Sequence, residues 1–203
     1  MINIKNKQNI FAAIILSAST VSFSKDISYD YIQGTYTSLS VDTNTSAGNL
    51  TADGFGVSGS FSIAPVISIT AGYEKTGSER TQNIEVNTTE LNFGITIHHS
   101  VANSMDIFGN FSILKGNVEA NNNLVTVEDD DTGSILSIGL HYSATDKIEL
   151  EAEFSRVDVF NDTSNTIGVG GRFYTQDKLS LGIGFSTGND VDILELNVRL
   201  DFK

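Results

Sequence analysis

Cysteine is missing from the 203-residue chain. Without it there is neither a disulfide framework, nor a thiolate metal site, nor a lipidated N-terminal cysteine. Positive charge is scarce as well, with 12 Lys and Arg against 25 Asp and Glu. A nucleic-acid partner, which needs a basic footprint to displace counterions, is therefore not expected. No apolar run reaches the roughly 20 residues that a membrane-spanning helix requires. That absence excludes a helical membrane protein but not a barrel, whose alternating strands never build a hydropathy peak. The single proline, Pro65, lies in a predicted turn and so interrupts no strand ladder.

What is present starts at the N-terminus. Lys5 and Lys7 precede an apolar stretch from Ile10 to Leu16, and small residues follow as far as Ser22-Phe23-Ser24. This is the layout of a secretory signal peptide, expected to occupy residues 1–24 and to be cut after Ser24. Residues 25–203 are then expected to form one domain.

Within that domain the dominant signal is alternation. In DGFGVSGSFSIAPVISITAGYEK, residues 53–75, every second position is apolar and the positions between hold mostly Gly, Ser and Thr. Period two recurs over ten segments, with no helical stretch among them. The sharpest sets Ile148, Leu150, Ala152 and Phe154 against Glu149, Glu151, Glu153 and Ser155. The least clear is 29–41, where neither parity is consistently apolar, and around 105–114 Phe108 and Leu114 break the pattern. Long loops are expected at 42–52, 76–85 and 117–132, and tight turns at 64–66, 143–147 and 175–178. The segment 98–104 is long for a turn, and 188–190 is short for a loop.

A soluble sandwich also alternates, but three features favour lipid. The non-apolar face is small and Gly/Ser-rich, as in a narrow barrel interior. Aromatics sit near both strand ends: Tyr142, Phe173 and Phe202 at one, Phe55, Tyr73, Phe154 and Phe185 at the other, like two interfacial girdles. An even strand number lets the last strand close on the first and removes the edges that lipid cannot hydrate. The expected fold is all-β: a ten-stranded antiparallel transmembrane β-barrel, an up-and-down meander with both termini periplasmic and a polar lumen.

These stretches resemble the small outer-membrane β-barrel proteins of Gram-negative bacteria, most closely a porin-like family once described as quorum-signal or plant-immunity activators. The resemblance is carried by YDYIQGTYT, residues 53–75, LNFGITIHHSV, GLHYSATDKIELEAEFSRVDV, IGVGGRFYTQDKLSLGIGFSTGND and LNVRLDF. It implies residence in the outer membrane, and insertion by the barrel-assembly machinery with periplasmic chaperones. That machinery reads a C-terminal strand ending in an aromatic residue, here Phe202, although Lys203 follows it.

Candidate site residues follow from the strand parity. Glu149, Glu151, Glu153, Arg172, Glu195, Arg199 and Asp201 are expected in the lumen, with Arg172 opposite Glu149 and Glu151. They would form an ionic plug, a selective constriction or simply a hydrated lining. Lys75, Lys115 and Arg156 share the lipid-facing parity at the outer ends, placed either for lipopolysaccharide phosphates or for snorkelling. Glu128, Asp129, Asp130 and Asp131 are expected in a solvated acidic loop, because adjacent acids lack the spacing of a calcium loop. His98, His99 and His141 all fall at the tight-turn end, which leaves no general base for a hydrolase acting on external substrates. Neither an enzyme nor a cofactor is expected. Two functions compete: a narrow passive channel for small solutes, slightly ahead, and a structural, adhesion or ligand-binding barrel acting through its loops.

Overall fold

The computed structural model describes residues 27–42, 50–78, 85–102, 104–121, 126–159, 162–189 and 191–202. The expected signal peptide, residues 1–24, lies outside them. The described residues form ten strands: β1 (Tyr31–Val41), β2 (Leu50–Ala64), β3 (Ile67–Ser78), β4 (Glu85–Ala102), β5 (Met105–Asn121), β6 (Thr126–Thr145), β7 (Ile148–Val159), β8 (Asp162–Tyr174), β9 (Leu179–Gly188) and β10 (Val191–Asp201). Each pairs antiparallel with its sequence neighbours, and β1 closes on β10 from Tyr31↔Asp201 to Val41↔Val191. Closure satisfies the backbone groups that an open sheet would leave at its edges.

The alternation becomes two faces. Phe55, Phe61, Leu91, Phe93, Ile95, Phe111, Ile138, Ile167, Val169 and Ile183 all point outward and are exposed, which is the reverse of a soluble core. The aromatics expected near the strand ends, among them Phe55, Tyr73, Phe154, Phe185, Tyr142, Phe173 and Phe202, share this outward face. The inward positions hold Ser60, Ser68, Thr70, Ser112, Ser137, Ser155 and Ser180, all buried.

Four boundaries differ from the sequence expectation, the first being the expected loop 42–52, whose last residues Leu50–Ala52 already belong to β2 and pair with β1. The segment 98–104 is mostly strand: β4 runs through His98 and His99 to Ala102, so the turn before Met105 is short. The segment 117–132 is not a loop either. β5 continues to Asn121 and β6 begins at Thr126, and their pairing is unbroken from Met105↔Tyr142 to Asn121↔Thr126. Its polar residues obscured the strand because both faces of this hairpin extension lie above the apolar band, where no alternation is needed. The expected loop 76–85 likewise shortens, with Thr76–Ser78 in β3 and Glu85 in β4. Bulges at Ser62/Ala64, Ser100/Ala102 and Ser143/Thr145 mark the tight-turn ends of three hairpins, where an extra residue helps the chain turn.

Candidate functional site in the barrel lumen

The lumen is not polar throughout. At the end opposite the tight turns, Leu39, Val41, Leu50, Ala52, Leu114, Ile135, Val157, Val159, Val191 and Ile193 form one buried cluster, with Val118 packed against it. They come from two trios, β10–β1–β2 and β5–β6–β7, which face each other across the ring. The cluster therefore bridges the lumen. This corrects the expectation of a wholly polar interior, and it explains two irregularities in the sequence. β1 reads poorly because its inward face turns aliphatic at Leu39 and Val41, and Leu114 breaks the β5 pattern because it belongs to the inner cluster.

Below it the inner wall is polar and crowded. Phe108, the other exception in β5, lies over Gly139, its partner on β6; a Cβ at Gly139 would come within 2.5 Å of the ring. The same ring sits 4.4 Å from that of His141. A pocket of only about 30 Å³, lined among others by Tyr29, Ser60, Phe108, His141 and Glu153, has room for little more than water.

The tight-turn end is held by arginines. Arg199 is fully buried, its Nε 2.6 Å from Asp201 Oδ1, and its guanidinium lies 3.8 Å over the Tyr31 ring. It also donates to the Ser28 carbonyl. Tyr174 donates to the other oxygen of Asp201 at 3.1 Å. Arg172 donates to Gln33 Oε1 at 2.8 Å and to Ser180 Oγ at 3.1 Å. Tyr29 enters from the N-terminal side and stacks on His98, ring centroids 3.4 Å apart. The segment carrying it is tied down by the Ser62 N–H on Asp30 Oδ1 (2.7 Å) and by the Phe202 N–H on the Asp30 carbonyl (2.9 Å). Outside it opens a mouth of about 850 Å³, bordered by Pro65, Asp146, Lys147 and Gln176.

All seven charged residues expected in the lumen face it, yet they divide into two groups. Arg172 stands opposite Glu149 in the register, as expected, whereas Glu151 is opposite Gly170 and lies 3.1 Å from His141 Nε2. Glu149 shares no hydrogen bond with Arg172. Higher up, Glu153 contacts Ser155, and Glu195 is buried opposite Thr37 on β1 and Gly184 on β9. Sequence reading missed Glu74 and Glu90, which are buried and directly paired across β3 and β4. Their inward parity, beside Gly72, Thr76 and Asn92, was the available signal.

Lys75, Lys115 and Arg156 point outward and are exposed, on three different strands. Lys115 lies 3.7 Å from Asp130, and Arg156 pairs with Asp158 at 3.0 Å. Glu128–Asp131 lie on β6, a correction to the expected loop; Glu119 stands directly opposite Glu128. His99 is exposed, while His98 and His141 belong to the lumen packing just described. Phe202 is outward, its carbonyl 3.1 Å from Lys178 Nζ. Among the described residues no three His, Asp or Glu side chains are grouped to hold a metal ion.

A closed ring of ten strands, apolar outside and packed inside, defines an integral outer-membrane β-barrel. The chain belongs to the family described as outer membrane protein beta-barrel domain, which matches residues 10–186, and its place is the bacterial outer membrane. No curated protein matches the chain. Among solved structures it is similar to the transport unit of the autotransporter AIDA-I from Escherichia coli, at 10% identity and TM-score 0.60, covering 98% of this chain and 97% of that one. It is also similar to the translocator domain of the autotransporter NalP from Neisseria meningitidis, at 11% identity and TM-score 0.51, covering 98% and 95%. A third, Neisserial surface protein A, is 12% identical with TM-score 0.49, covering 86% and 98%. At such identities the likeness is one of fold.

Proposed function

We propose that this outer-membrane barrel is a closed scaffold working through the surface it presents beyond the membrane, in preference to a passive channel. The carrying observation is the aliphatic cluster that joins opposite walls, with Leu39, Leu114, Val157 and Ile193 at most 1% exposed. A permeating solute needs a continuous wet path, and a constriction lined by hydrocarbon sheds water. The buried Arg199–Asp201 pair obstructs the other end. What remains accessible is the outward hairpin. β6 pairs with β5 from Thr126 but with β7 only from Ser134, so its first turnward residues stand clear of the ring.

This reading favours the binding or adhesion role, with no catalytic step, since His98 and His141 are engaged in packing. Lipid around the outward band, lipopolysaccharide at Lys75, Lys115 and Arg156, and recognition of Phe202 by the assembly machinery are parts of the same proposal. Planar-bilayer recordings of the refolded protein are expected to show no stable conductance steps. Steady wild-type conductance would restore the channel. Shortening the hairpin between Val118 and Asp129 is expected to abolish surface attachment while leaving the barrel's heat-modifiable gel mobility intact.

A further inference from the structure

The inner wall formed by β1 to β4 carries a buried patch of oxygen-bearing side chains next to two glycines. Two rows of inward positions run across these strands. One is Thr37, Gly54, Thr76 and Thr88; the next is Thr35, Gly56, Glu74 and Glu90. The glycines let Thr76 and Glu74 lie close over β2: a Cβ at Gly54 would strike Thr76, and one at Gly56 would lie 3.2 Å from Glu74 Oε2. On the β3–β4 side, Glu74 faces Glu90 and Thr76 faces Thr88, giving two carboxylates beside two hydroxyls. All four side chains are at least nine-tenths buried.

Three of the four, Thr76, Thr88 and Glu90, have a polar atom left wanting. Thr76 Oγ1, Thr88 Oγ1 and Glu90 Oε2 have no hydrogen-bond partner, and neither does Thr37 Oγ1 on the same row. Glu90 Oε1 accepts only a 3.3 Å bond from Asn92. Each buried polar atom left unpaired costs free energy, and a buried charge without a counter-charge costs far more. The lumen has little positive charge to spare. Among the described residues, Arg172 and Arg199 are the basic side chains that face inward, and both are engaged at the tight-turn end. Glu74 and Glu90 instead face each other directly in the β3–β4 register.

We propose that Glu74, Glu90, Thr76 and Thr88 bind one hard divalent cation of the calcium type inside the barrel. Two carboxylates balance the charge of a divalent ion. A donor set made only of oxygen, without nitrogen or sulfur, selects calcium over the transition metals. Calcium accepts six to eight oxygens in irregular geometry, so four side chains completed by water suffice. Glu195, across Thr37 in the register, adds negative field without being required as a ligand. The ion joins β3 to β4 at the foot of the aliphatic cluster and replaces carboxylate repulsion by attraction.

The test uses the full barrel refolded in detergent without lipopolysaccharide, stripped on a chelating resin, incubated with calcium chloride and desalted. Elemental analysis is expected to find one calcium per barrel, and chelator is expected to lower the unfolding temperature. Glu90→Gln should weaken calcium retention about tenfold or more, since affinity follows the charge of the ligand set. Thr76→Val with Thr88→Val, near-isosteric and leaving both charges, should do likewise and answers the question if Glu90→Gln does not fold. Asp129→Asn with Asp130→Asn on the exposed hairpin should leave retention unchanged. A wild-type barrel that holds no calcium overturns the proposal, as when Glu74 and Glu90 share a proton instead. So does calcium that disappears with the hairpin variant and persists in Glu90→Gln.

Discussion

Leu39 on β1 and Ile135 on β6 stand five strands apart in either direction around the ring, yet they belong to one buried cluster. Residues so placed come together only if the wall is close enough for inward side chains to meet across the axis, as in a narrow barrel. The lumen thus acts at this level as a small hydrophobic core inside a shell whose outer surface is also apolar.

If that cluster is a packed core, removing part of it should cost as much as in a soluble protein. Leu114→Ala is expected to destabilise the refolded barrel by about 2–5 kcal/mol, the usual range for a buried leucine. Denaturant unfolding in detergent measures this. A change below a few tenths would mean that the cluster does not carry load.

The Arg199–Asp201 pair makes a different prediction. Arg199→Gln leaves the Asp201 carboxylate buried without its cation, with an expected loss of about 3–5 kcal/mol. Adding Asp201→Asn should restore much of it, because the uncompensated charge is then gone. Heat-modifiable gel mobility of the single and double variants checks the order.

Glycines on the two faces of the wall separate close approach from mere smallness: Gly139 faces inward, and Gly34, beside Val57 and Val198, faces outward. At Gly139 a Cβ would meet the Phe108 ring at 2.5 Å and the Ala152 carbonyl at 2.6 Å, whereas nothing lies within 4 Å of the Cβ position at Gly34. Gly139→Ala is therefore expected to cost about 1–3 kcal/mol by overpacking, and Gly34→Ala to be tolerated. Equal refolding yields and midpoints for the two would contradict this.

The three outward cations are not equivalent. Lys115 and Arg156 each have an acid beside them, which already offsets their charge towards a phosphate. Replacing Lys75 by Gln is expected to reduce co-purified lipopolysaccharide more than replacing either of the others. A larger loss with Arg156→Gln would reverse the ranking. The Lys115–Asp130 and Arg156–Asp158 pairs are themselves about half to two-thirds exposed, so breaking either should scarcely change stability.

Much of this architecture was legible beforehand. Strict alternation in residues such as Ile148–Phe154 assigns each side chain to a face regardless of what lies beyond it, and such runs, together with the less regular 29–41 and 105–114, imply ten strands. The inward orientation of Glu149, Arg172 and Arg199 follows from the same parity. Strand length was harder to read. Above the apolar band neither face of the β5–β6 hairpin meets lipid, so Asn117–Asn121 and Thr126–Thr132 carry no alternation and look like a loop. Leu114 and Phe108 looked like noise for the opposite reason: they obey a packing demand inside the ring that no local pattern expresses.

The amino-acid sequence by itself determined the faces, the strand number and the preference for lipid, because a period of two acts residue by residue. Only the closed ring decided which inward residues meet. Glu74 reaches Glu90 through the β3–β4 register, Arg199 finds Tyr31 and Ser28 because β10 returns to β1, and Leu39 joins Ile135 across the axis. Those encounters depend on closure, register and radius, which are properties of all ten strands together and of no segment alone.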